Sequence, residues 1–191
     1  MYLKLEHIKN HSTEGFEPMP FAYYHRLNAA QKRIYKRSEG VHSILIPQPE
    51  RFRALLEYLA KALTSGDRHY TEQGTQAFVT ALLRVLGVPP VRVKVLERRP
   101  SRHWGELHGL YESGGRAQPV ITVWMRTAKR IQVVAFRTFL RTILHEVMHH
   151  LDYTLLRLSD SFHTEGFYKR ESALLKQLLE ATKSHTLGDF Y

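Results

Sequence analysis

Cysteine is absent from the 191 residues, which excludes a disulfide framework, a cysteine-ligated metal site and thiol chemistry from this sequence. An apolar run long enough to cross a bilayer is missing too, as is an apolar leader near Met1. The expectation is a cytoplasmic chain with no membrane span. Negative charge is scarce: 18 Asp and Glu stand against 28 Lys and Arg, a formal net charge of +10. That excess directs attention to acidic or nucleic-acid partners. Apolar residues are not scarce, and a 43% hydrophobic content in a chain of this length suffices for one domain with its own core.

What is present is histidine in a telling place. Residues 145–150 read HEVMHH, which contains H-E-x-x-H. On a helix, the i, i+4 spacing stacks the His145 and His149 imidazoles on one face, about 6 Å apart, where they can share one zinc ion. Glu146, one residue on, stands beside that stack and is placed to address a metal-activated water as general base. A chain of this composition yields such a match by chance about 0.05 times, so context has to support it. The motif lies in an apolar-periodic run from Ala135 to Leu158 without Gly or Pro, the pattern of a buried helix.

Catalytic zinc usually takes three protein ligands and keeps a fourth position open. The metzincin pattern is excluded, because Leu155 and Asp152 stand where it needs histidine and glycine. The next histidine past His150 is His163, at the start of a second helical pattern from about Glu165 to Lys183. It is the leading third ligand, with Glu165 and Glu171 as competitors. Asp152, two turns beyond His145, is placed to hydrogen-bond a ligand imidazole. Tyr168, Tyr111 and His108 are candidates for oxyanion stabilisation. His150 is rotated off the ligand face, and a solvent-side or interhelical position is expected for it.

Elsewhere the patterns predict helices at Pro49 to Leu63 and Thr71 to Leu86, and a strand at Val91 to Glu97. A Ser113-Gly114-Gly115 turn and a returning strand at Pro119 to Met125 follow. The fold class is α+β: a small sheet, an active-site helix and a C-terminal helix. Residues 1–48, rich in aromatic and basic side chains, read as an arm packed on a domain spanning 49–191.

The order WGELHGLYESGG, PVITVWM, TILHEVMHH and HTEGF resembles the catalytic core of SprT-like zinc metallopeptidases, the family of the Spartan proteases, and more distantly the WLM peptidases. The likeness covers about a third of the chain. It departs from the pattern at Thr164, where glycine is common, and in the lack of a cysteine zinc ribbon. The resemblance implies a zincin-like fold, zinc held by His145, His149 and His163, and hydrolysis of peptide bonds. It also implies that the strand Val120 to Met125 runs along the cleft, where a peptide or protein substrate adds by main-chain hydrogen bonds.

Residues 92–141 hold eleven Arg and Lys against Glu97, Glu106 and Glu112. ERRPSRHW, from Glu97 to Trp104, mixes cations and aromatics as a nucleic-acid surface does. Action on DNA-associated proteins is therefore one expectation. The alternative from another class is a non-catalytic, zinc-stabilised DNA-binding or scaffold protein.

Overall fold

The structure, a computed structural model, describes residues 21–102, 105–115 and 117–183, without the side chains of residues 101, 102, 105, 106 and 183. His103, Trp104 and Arg116 of the basic segment, and residues 1–20 of the arm, lie outside the described residues. The architecture is α+β. Among the described residues are five α-helices: α1 Ala29–Glu39, α2 Arg53–Thr64, α3 Arg68–Val85, α4 Phe136–Thr154 and α5 Glu165–Lys183. The strands are β1 Arg92–Arg98, β2 Ser101–Arg102, β3 Gly105–Glu106, β4 Gly109–Glu112 and β5 Val120–Arg126. Pro49–Phe52, expected as the start of α2, is a 3-10 turn leading into it, because proline pre-sets a first turn but supplies no N–H.

The arm holds a helix that its irregular composition conceals. Asn28 and Gln31 form a reciprocal cap that starts α1: the Asn28 side chain accepts the Gln31 N–H at 2.9 Å, and Gln31 accepts the Asn28 N–H at 3.1 Å. Asp67 opens α3 by accepting the Tyr70 N–H at 2.7 Å.

The main sheet has the order β1-β5-β4, with β1 parallel and β4 antiparallel to β5. Gly114 and Gly115 take positive φ, 71° and 57°, in the turn between β4 and β5, which glycine allows without a Cβ clash. β5 is buried from Ile121 to Met125. Both of its faces are therefore covered, rather than one as strict alternation would leave. β5 is also paired on both sides, which corrects the expectation that it borders a cleft with an open edge.

The outer edge of β1 is closed by side chains of α3. Gln76 donates to the Val91 carbonyl at 3.1 Å and accepts the Val93 N–H at 2.8 Å, as a neighbouring strand would. Glu72 accepts the Val95 N–H at 2.9 Å, and Arg68 donates to the Val95 carbonyl at 3.3 Å. That satisfies an edge that would otherwise invite pairing. β4 is the opposite edge of the sheet, and α4 packs across β4 and β5.

Leu56, Leu59, Phe78, Leu82, Val95, Ile121, Val123, Ile143, Leu144, Val147 and Leu174 join one core. Inside it lies an ion pair: Arg170 of α5 donates to Asp152 of α4 at 2.8 Å, both side chains 0% exposed. Burial pushes the Asp152 carboxyl up and the Arg170 guanidinium down, and each partner opposes the other's shift. Removing one member strands the other charge. Arg170→Met is expected to lower unfolding free energy by about 3–5 kcal/mol in urea titration, and Arg170→Met with Asp152→Asn to lower it by less.

Candidate metal centre

Helix α4 presents His145 and His149 one turn apart, and the loop before α5 brings His163 to meet them. The Nε2 atoms of His145 and His163 are 2.9 Å apart, those of His149 and His163 3.1 Å. A tetrahedral zinc with Zn–N of about 2.0–2.1 Å spaces its nitrogens by about 3.3 Å, so the triangle is close to a metal face. His145, His149 and His163 together can hold a metal ion. Phe167, one turn into α5, packs against all three rings, with centroids 5.1, 5.0 and 5.0 Å away. It gives them an apolar floor that restricts their rotation.

The protons of the surrounding side chains leave the cluster unsatisfied. The Glu171 carboxylate lies 2.9 Å from His145 Nδ1. Being an acceptor, it places the proton on Nδ1 and leaves a lone pair on His145 Nε2. Ser161 donates its hydroxyl to Asp152 at 2.7 Å, so at 2.8 Å it accepts from His149 Nδ1–H. His149 Nε2 is then a lone pair as well. His163 can offer a single Nε2–H, which satisfies one of these at most. A cation at the centre satisfies all three.

Burial and the neighbouring His145 push the His163 imidazole down to about 3, and burial with both neighbouring histidines lowers His149 well below its usual range. Both rings are therefore neutral and able to ligate near pH 7.

Glu171 does not join the triangle. It orients His145 and is itself held by Arg141 at 2.9 Å. Glu165 reaches Lys169 at 2.6 Å on the helix surface. Asp152 acts on a ligand through Ser161, and the ligand is His149 rather than His145; its direct partner is Arg170. His150 is buried, not solvent-side. Its Nε2 donates to the Pro89 carbonyl at 2.8 Å, so Nδ1 accepts the Tyr111 hydroxyl at 3.1 Å. Tyr111 thus has its proton committed to His150. Tyr168 stacks on His163, with centroids 5.8 Å apart and planes inclined by 25°. Burial, with Glu171 nearby, pushes its hydroxyl up to about 12. Neither Tyr168 nor His108 is among the described residues lining the cavity at the site.

That cavity, about 170 Å³, is lined by Leu107, Gly109, Leu110 and Tyr111 on the β4 side and by His145, Glu146, His149, Tyr153, Asp160, Ser161 and His163 opposite. Glu146 lies under β4. A Cβ at Gly109 would stand 2.7 Å from its Cγ and 2.8 Å from its Cδ, so glycine alone lets the strand pass this closely. Sequence reasoning missed Gly109, Ser161 and Arg170. The cap Asn28 with Gln31 was a readable local signal, whereas nothing local marks Ser161.

Burial pushes the Glu146 carboxyl up to about 7; the Glu171 charge adds to the rise, while His145 and the Tyr111 backbone N–H oppose it. A folded-state pKa above the ordinary 4.5 means that the fold prefers this acid protonated. The stability it contributes is full below about 4.5 and is lost as pH rises through about 7. In chelator-treated protein, Glu146→Gln should therefore melt above wild type at pH 8, and the gap should close by pH 4.5.

Comparison with known proteins returned no match to a family model, to a curated protein or to a solved structure. Among the described residues, no helix is long and apolar enough to cross a membrane.

Proposed function

We propose that this chain is a zinc-dependent metallopeptidase of zincin-like fold, hydrolysing peptide bonds in a peptide or protein substrate. One observation carries the reading: three imidazole nitrogens converge beside a buried carboxyl, Glu146, at a single cavity. A structural zinc site is closed by four protein ligands, whereas three ligands facing a cavity leave room for a reacting group. A purely structural role also gives no reason to keep an acid as costly as Glu146 in the same space. The donor set is three imidazole nitrogens, which suits zinc better than calcium or magnesium. The order of motifs shared with SprT-like peptidases supports the same assignment.

When bound, zinc supplies Lewis-acid chemistry, polarising the scissile carbonyl and making water acidic near neutrality. The protein's own residues do the rest. Glu146 takes one proton from the attacking water, the oxygen adds to the carbonyl carbon, and the C–N bond breaks as Glu146 returns that proton to the leaving amine. Glu171 and the Ser161–Asp152 pair hold the His145 and His149 rings with their Nε2 lone pairs inward. An extended substrate lies along β4, the sheet edge at the cavity, since β5 is interior and the outer edge of β1 is closed by α3.

The nucleic-acid expectation rests on less. Arg98, Arg126 and Arg141 are engaged by the Ala128 carbonyl, Glu97 and Glu171. Among the described residues of the segment, exposed Arg92, Lys94, Lys129, Arg130 and Arg137 are left for any phosphate contact, and no described contact at the cavity calls for one. Casein or a quenched peptide library, incubated with zinc-loaded protein, is expected to be cleaved. Glu146→Gln should hold about one zinc per chain and lose at least about 100-fold in turnover. Turnover that survives this substitution would remove the mechanism.

A further inference from the structure

The sequence divides at residue 48 into an arm and a domain, but the hydrogen bonds do not respect that boundary. We infer that the segment from Phe21 to Val41 is a positioning part of the metal centre, fixing His163 through Tyr23 and His149 through a chain of Arg170, Asp152 and Ser161. This rests on the metal reading above and extends it to residues outside the motif.

The first route reaches His163 from behind. The Tyr23 hydroxyl donates to the His163 backbone carbonyl at 2.9 Å, and the Tyr23 ring stacks on Phe162, with centroids 6.3 Å apart and planes at 27°. Phe21 packs on Tyr168, which itself stacks on the His163 ring. His163 belongs to a loop with no helix or strand to hold it. Its direction therefore depends on what packs around it, and two aromatics of the segment supply much of that.

The second route starts at the end of α1. There the last carbonyls of the helix have no partner within it and carry its negative end. Arg170, wholly buried, donates to the Ser38 carbonyl at 2.5 Å and the Val41 carbonyl at 2.7 Å. It also donates to the Ser38 hydroxyl at 3.0 Å and to Asp152 at 2.8 Å. Asp152 accepts from Ser161, and Ser161 accepts from His149 Nδ1–H. One guanidinium thus ties the end of α1 to the carboxylate that sets the His149 tautomer. The fit is close: a Cβ on Gly166 would stand 2.8 Å from the Glu39 carbonyl carbon, and Ser38 and Thr164 hydroxyls are 3.2 Å apart. The start of α5, two residues after His163, lies flush on the end of α1.

The test uses the full chain. Zinc affinity is measured by competition with a chromophoric chelator for wild type, Tyr23→Phe, Ser161→Ala and Ser161→Thr, alongside melting of each metal-free form. Ser161→Ala is expected to bind zinc about 10–100-fold more weakly, with Ser161→Thr restoring most of the affinity. Tyr23→Phe, losing one hydrogen bond, should weaken binding by about 2–10-fold. A merely structural role would lower the metal-free melting point and leave affinity alone. Long-range proton–nitrogen NMR of metal-free protein adds a readout independent of zinc: His149 carries its proton on Nδ1 in wild type and loses that preference in Ser161→Ala. Wild type binding zinc with all variants equal to it would overturn this inference alone. Wild type binding no zinc would overturn the metal reading beneath it as well.

Discussion

Three imidazole lone pairs aimed at one point are the constraint around which the rest of this molecule is arranged. Protons cannot satisfy them, because His145 and His149 already spend theirs on Glu171 and Ser161, and like lone pairs at about 3 Å repel. The arrangement persists because the surroundings over-determine it. Phe167 walls the rings, Arg141 fixes Glu171, and a buried Arg170–Asp152 pair fixes Ser161. Side chains held in this way would meet an ion already ordered, so that binding energy would not be spent on ordering them.

Glu146 sets a second demand on the same volume. A carboxyl buried beneath Gly109 costs stability when ionised, and that burial pushes it up to about 7. A cation held by the neighbouring imidazoles would relieve that cost by favouring the charged form. The sheet follows the same logic. α3 closes the β1 edge with Glu72, Gln76 and Arg68, while β4, carrying Gly109 and Tyr111, borders the cavity. The cavity and the protected edge thereby lie on opposite sides of one small sheet.

Much of this could be read from the chain. Period-3.6 apolar patterns located α2 to α5 within a few residues, and the spacing in HEVMHH put His145 and His149 on one face, because both signals are local. His163 was singled out from Glu165 and Glu171 by ligand chemistry and its place before a helix, and it is the residue that meets the pair. What failed to show depended on distance in sequence. Glu171 lies 26 residues from the histidine it orients, and Ser161 12 from its own. Strand order is likewise non-local: the alternation of Val120 to Met125 leaves its edges unsettled, and β5 sits between β1 and β4 with both faces covered. Helix α1 was missed for a different reason, since its aromatic and basic composition outweighed a cap that was plainly written in Asn28 and Gln31.

The most direct test of the centre is the zinc K-edge X-ray absorption spectrum of the stoichiometric zinc-loaded protein. Three imidazole nitrogens at about 2.0–2.1 Å with one further light-atom ligand are expected, and the imidazole scattering should drop by one ring in His163→Ala. A spectrum with fewer than three imidazoles, or one unchanged by His163→Ala, would contradict the three-histidine centre.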